Sequence, residues 1–128
     1  MYLLDSDVVI WHLRRHPCVV DLLERLGSIG RLGVSALTRL EVHAGMRPLE
    51  RETTESLLAA LDTYPVTGAI GDRAGDLLRE YRQHGVTLDL VDATIAATAE
   101  IHSLVLVTVN VRHYPMPGLT LLPVSPER

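Results

Sequence analysis

Short apolar runs recur along the chain at Tyr2–Leu4, Arg31–Val34, Thr63–Val66, Leu104–Val107 and Leu119–Leu122. Each is short and largely apolar, as a strand buried on both faces would be. Helical periodicity fills the intervals. Val8, Ile10 and Trp11 lead one helix; Val20, Leu22, Leu23 and Leu26 mark a second, which Gly27 is expected to stop. Ala36 to Gly45 reads as a third, with Ser35 as its N-cap. Leu57, Leu58 and Leu61 lie on a fourth, Ile70 to Tyr81 forms a fifth ending near Gly85, and a sixth runs from Leu90 to about His102. Strands alternating with helices predict a parallel sheet covered on both sides. In such sheets ligands bind beyond the carboxyl ends of the strands, so chemistry is sought there. No repeat, low-complexity tract or linker interrupts the pattern, and residues 1–128 are read as one domain. Only the tail, Pro123 to Arg128, is expected to fray.

Composition narrows the picture modestly. A chain of 128 residues supplies one core and needs no covalent staple. Its single cysteine, Cys18, can form neither an internal disulfide nor a thiolate metal cage, which fits a reducing cytoplasm. No signal-type segment precedes the first strand, and no apolar run approaches the roughly 20 residues of a membrane span. The net charge of −4 argues mildly against a protein that coats nucleic acid, although acids gathered around a cation would reverse the local field. All twelve basic residues are Arg.

The acids carry the candidate chemistry. Asp5 directly follows the first strand, where it can cap the next helix or face the crevice. Glu41 stands nearly two turns into the third helix beside apolar Leu37, Leu40 and Ala44; a carboxylate bordering a buried stripe needs a cation or donor, the alternative being a surface pair with Arg39 or Arg47. Asp89 and Asp92 are spaced like a capping box, with Asp89 as cap and Asp92 free on the first turn. Asn110 follows the fourth strand as a turn residue or a carbonyl donor, and the Thr108 hydroxyl is suited to holding a neighbouring carboxylate. A parallel sheet would bring these segments to one edge. Carboxylates that share a site repel unless a cation joins them, and an all-oxygen set suits Mg²⁺ or Mn²⁺ rather than Zn²⁺. Such a site points to phosphoryl chemistry.

At these residues the chain resembles a known family. Leu3-Leu4-Asp5-Ser6-Asp7-Val8-Val9-Ile10, Ser35-Ala36-Leu37-Thr38-Arg39-Leu40-Glu41-Val42 with Gly45, Asp92-Ala93-Thr94-Ile95-Ala96-Ala97-Thr98-Ala99, and Val107-Thr108-Val109-Asn110-Val111-Arg112-His113-Tyr114 with Gly118-Leu119 resemble, in order, the motifs of PIN domains and especially VapC toxins. The third motif is specific on its own; the others gain weight from their order.

The resemblance implies a three-layer α/β/α sandwich around a parallel sheet of about five strands. It implies a metal-dependent endoribonuclease, the toxin of a toxin–antitoxin pair. Asp5, Glu41 and Asp92 match the family's acids and would hold one or two Mg²⁺, with Mn²⁺ as a substitute and Glu41 in part through water. Asn110 stands where many PIN domains have Asp, and it is expected in the outer shell or bridged by water. Ser6 and Thr108 would support the acids, and Arg39, Arg112 and His113 are the candidates for substrate phosphate. An RNA substrate, a cognate antitoxin and a homodimer follow from the same likeness, with Trp11, Val9 and Ile10 as a sticky face or as core. His12, His16, His43, His84 and His102 lack ligand spacing and are read as structural or surface residues. The rival reading is a catalytically silent PIN-like module that binds RNA or protein. An aspartyl phosphatase or a receiver domain fits poorly, because the chain has no lysine.

Overall fold

Leu3 and Leu4 are adjacent and both fully buried, which requires cover on both faces of the strand that carries them. The computed structural model describes residues 1–125 and supplies that cover. Strands β1 (Tyr2–Leu4), β2 (Leu32–Ser35), β3 (Asp62–Tyr64), β4 (Val105–Thr108) and β5 (Thr120–Pro123) form one all-parallel sheet in the order β3-β2-β1-β4-β5. The helices are α1 (Ser6–Leu13), α2 (Pro17–Ile29), α3 (Ala36–Ala44), α4 (Arg51–Ala59), α5 (Gly68–Gln83) and α6 (Leu90–His102). The α/β/α sandwich expected from the sequence is therefore present.

Alternation along the strands sorts side chains between two cores. Leu4, Val34 and Val107 pack with Val8 and Val9 of α1, Leu23 of α2, Val42 of α3 and Leu58 of α4. Leu3 and Leu106 point the other way, into Ile70 and Leu77 of α5 and the small residues of α6. Seven consecutive residues of α6, Ala93 to Ala99, are buried, because α6 lies against the sheet with α5 packed on it. Alanines allow that close approach. Thr94 and Thr98 satisfy their hydroxyls on the carbonyls of Leu90 and Thr94, each at 2.8 Å.

Three expectations need correction. Gly27 does not stop α2, which runs to Ile29 with Gly30 as its cap. Burial of Val19, Leu23 and Leu26 outweighs the roughly 1 kcal/mol a mid-helix glycine costs. The tail is not frayed at Pro123: that residue closes β5, Val124 is buried, and its N–H donates to the Thr108 carbonyl at 2.8 Å. The rest of that segment, residues 126–128, lies outside the described residues. Strand β3 begins at Asp62 and ends before Pro65, whose ring removes a donor the ladder would need.

Gly33 in β2 has no room for a side chain. A Cβ there would stand 2.5 Å from the Tyr64 ring and 3.2 Å from the Asp62 carbonyl. Tyr64 is itself held by a tilted contact with the His102 ring, centroids 4.8 Å apart. Gly33→Ala is expected to destabilise the protein by about 1–3 kcal/mol through overpacking, read as a lower melting temperature.

Candidate active site

The sheet order makes β1 central, with β2 and β4 on either side, so the segments leaving these three strands emerge together. Asp5 is the first residue beyond β1 and is only 5% exposed. It caps α1, accepting from the Ser6 N–H at 2.8 Å through Oδ1, while Oδ2 accepts from the Thr108 hydroxyl at 2.9 Å. Capping and facing the crevice are thus compatible uses of the same carboxylate. Thr108 Oγ1 also accepts from the Asn110 N–H at 2.9 Å, so one buried hydroxyl ties β4 to Asp5 and to the turn that follows.

Thr108→Val would leave the Asp5 carboxylate and the Asn110 N–H each short of a partner. A stability loss of about 1–3 kcal/mol is expected, measurable by denaturant titration.

Asp92 enters from the start of α6. Asp89 caps that helix, its carboxylate accepting from the Asp92 N–H at 3.4 Å. Asp92 Oδ2 lies 3.2 Å from His113 Nδ1, and Oδ1 accepts from the Tyr114 hydroxyl at 3.3 Å. Burial raises the Asp92 pKa to about 6; neighbouring Asp89 and Asp5 add to the rise, while His113 and Tyr114 oppose it. Burial raises the Asp5 pKa as well, against the donors Thr108, Ser6 and Tyr114, with Asp7 adding repulsion. The two carboxylates therefore sit in a field that disfavours their charged forms.

Glu41 is half-buried and accepts from the Ser6 hydroxyl at 2.5 Å. Its surroundings differ from the expected apolar stripe: Leu40 and Ala44 are exposed, and Thr38 and Val42 form the buried side of α3. Asn110 opens a 3-10 turn and donates through Nδ2 to Asp7 Oδ2 at 2.5 Å. Arg39 is turned to the Leu58 carbonyl and the Thr63 hydroxyl, at 3.3 and 3.2 Å. Arg112 and His113 instead line a cleft of about 240 Å³ with Thr87, Asp89 and Asp92.

Among the described residues no arginine hydrogen-bonds to Asp5, Asp7, Glu41, Asp89 or Asp92, and no three acidic, imidazole or thiol groups already cage a cation. What the chain offers is an open set of oxygen donors, among them the buried Asp5 and the partly buried Asp92, both with raised pKa and the second raised in part by the first. That set fits Mg²⁺, which binds through one or two carboxylates and keeps several waters.

A second cleft, of about 400 Å³, runs from Asp7 along Ile10, Trp11 and Leu13 to Val42 and Met46. Trp11 is 38% exposed on its wall, whereas Val9, expected on the same sticky face, is core. Three histidines pack or bond structurally: His16 edge-on against Trp11, His102 on Tyr64, and His84 to the Glu80 carbonyl.

Sequence reading singled out neither Tyr114 nor Asp7 for the site. Tyr114 is buried, and its hydroxyl reaches back to Asp92 on α6, with Asp5 close by. Burial and those carboxylates hold its pKa far above the usual phenol range. The one available signal was an amphipathic ring in the segment that follows β4.

A family model described as PIN domain matches residues 2–118. The chain is 42% identical to Ribonuclease VapC10 of Mycobacterium tuberculosis over 116 residues, covering 91% of this chain and 87% of that protein. It is 38% identical to Ribonuclease VapC19 of the same species over 117 residues, covering 91% and 94%. Among solved structures, VapBC2 from Rickettsia felis bound to a promoter DNA fragment superposes with a TM-score of 0.84 at 21% identity, covering 97% of this chain and 98% of that one. A toxin–antitoxin complex from Klebsiella pneumoniae gives 0.77 at 27% identity, with 98% of each chain covered.

Proposed function

The chain belongs to the PIN-domain family, and from that membership we propose that it is the ribonuclease toxin of a VapBC-type pair, cutting RNA phosphodiesters with Mg²⁺. The observation that carries the metal-dependent reading is the approach of buried Asp5 to partly buried Asp92, to neither of which an arginine hydrogen-bonds among the described residues.

Asp5 and Asp92 would hold the ion, with Glu41 joining through water and Mn²⁺ acting as a substitute. When bound, the ion would supply charge against the phosphate and acidify a water near neutral pH. The remaining work falls to the chain. Thr108 and the Ser6 N–H fix Asp5, and the Ser6 hydroxyl fixes Glu41. Asn110 spends its amide N–H on Asp7, which leaves its carbonyl oxygen for a water. Arg112 and His113, on the cleft beside Asp92, would receive the RNA phosphates. Arg39 is committed to Leu58 and Thr63 and is not assigned that role.

An antitoxin segment would cover the cleft walled by Ile10, Trp11, Val42 and Met46, where apolar surface adjoins Asp7. The exposed Leu40 and Leu90, close in sequence to Glu41 and Asp92, support a homodimer whose protomers meet near the acids. Among the described residues no helix is long and apolar enough to cross a membrane, and the lone Cys18 suits a reducing cytoplasm as the place of action.

The test is cleavage of a structured RNA mixture by purified protein. Cutting should occur with Mg²⁺, stop with EDTA and resume when excess Mg²⁺ or Mn²⁺ is restored. Intact RNA in every lane, with metal occupancy demonstrated, would favour the silent binding module.

A further inference from the structure

Four donors meet the two central carboxylates, and they differ in how they are held. Asp5 accepts from the Ser6 backbone and the Thr108 hydroxyl, both fixed by their places beside β1 and β4. Asp92 faces His113, whose ring is more than half exposed and free to leave. Tyr114 is the exception on the Asp92 side. It is 2% exposed, its ring is locked in the core cluster with Leu3, Ile95, Ala96 and Met116, and its N–H closes the 3-10 turn on the Val111 carbonyl at 3.1 Å. From that anchorage the hydroxyl donates to Asp92 Oδ1 and lies near enough to Asp5 to act on it too. Among the described residues it is the core-anchored side-chain donor to Asp92.

We propose that Tyr114 is a positioning residue for the cation: its hydroxyl holds Asp92 in register with Asp5, so that the pair takes up a divalent ion without first reorganising. The inference rests on the metal-dependent reading above. Hydrogen bonds of this outer kind orient ligands and typically change metal affinity 10–100-fold when removed.

The experiment is Mn²⁺ titration of the purified chain followed by electron paramagnetic resonance, comparing wild type, Tyr114→Phe and Met116→Ala. Tyr114→Phe deletes one oxygen and keeps the ring. It is expected to weaken Mn²⁺ binding about tenfold while melting cooperatively in EDTA. Met116→Ala loosens the same core without touching the hydroxyl, so it should lower the melting temperature yet hold Mn²⁺ affinity within about twofold of wild type. Equal or tighter binding by Tyr114→Phe would overturn the proposal. So would an equal loss of affinity in Met116→Ala, or a Tyr114→Phe chain that does not fold in EDTA, since either makes the role structural. Absence of Mn²⁺ binding by the wild type is a separate result, which would remove the metal-dependent reading itself and the proposal with it.

Discussion

Asp92→Asn is expected to reduce RNA cleavage by about 1,000-fold or more, because it removes one of the two charged groups that would hold the ion directly. The same substitution should stabilise the metal-free protein at pH 8. The wild-type carboxylate is ionised there in a place that disfavours charge, and asparagine keeps the shape without the charge. A rise from 3.8 to about 6 would correspond to about 3 kcal/mol in a wholly dry site. Solvent reaches the exposed His113 side and screens it, leaving on the order of 1–2 kcal/mol. Thermal melts in EDTA should therefore place Asp92→Asn several degrees above wild type while its cleavage is lost. Cleavage that survives the substitution would remove Asp92 from the reaction.

Cleavage by the wild type at fixed, subsaturating Mg²⁺ should rise at least tenfold between pH 5 and pH 7, as Asp92 loses its proton near pH 6 and becomes able to bind the ion. Asp5, also raised, is coupled to it, so the rise belongs to the pair and is steeper than one proton alone would give. Stability runs the opposite way without metal. The folded protein holds this proton more tightly than the unfolded chain does, so the favourable contribution is full below about pH 4 and is lost as pH climbs through about 6. Bound Mg²⁺ should restore the loss at pH 7, giving a metal-dependent gain in melting temperature that shrinks toward pH 5. A flat pH profile in both measurements would show that the carboxylates do not titrate together with metal uptake.

How far the sequence reached is clearest at particular residues. Asp89 as a cap was legible because capping depends on local backbone geometry, and α6 begins where the spacing placed it. Glu41 was marked as a carboxylate in need of a partner, yet the partner, Ser6, comes from a different strand–helix junction and has no linear signature. Arg39, grouped with the phosphate candidates, lies against Leu58 and Thr63, a contact made only when α4 and β3 fold beside α3. Gly27 misled for the converse reason: local propensity argued for a stop, and tertiary burial carried the helix onward.

By itself, the sequence determined the alternation of strands and helices, the placement of Asp5 and Asn110 after strands and of Asp92 at a helix start, and the ordered motifs that identify a PIN domain. All of these follow from periodicity, capping or residue identity, which act over a few neighbouring positions. The tertiary structure alone decided that β1 lies between β2 and β4, that Thr108 meets Asp5, and that a buried tyrosine donates to Asp92. Those contacts join residues about a hundred positions apart, as between Asp5 and Thr108, or on different layers of the sandwich. The electrostatic field they create depends on burial and distance, quantities that a linear order of residues does not contain.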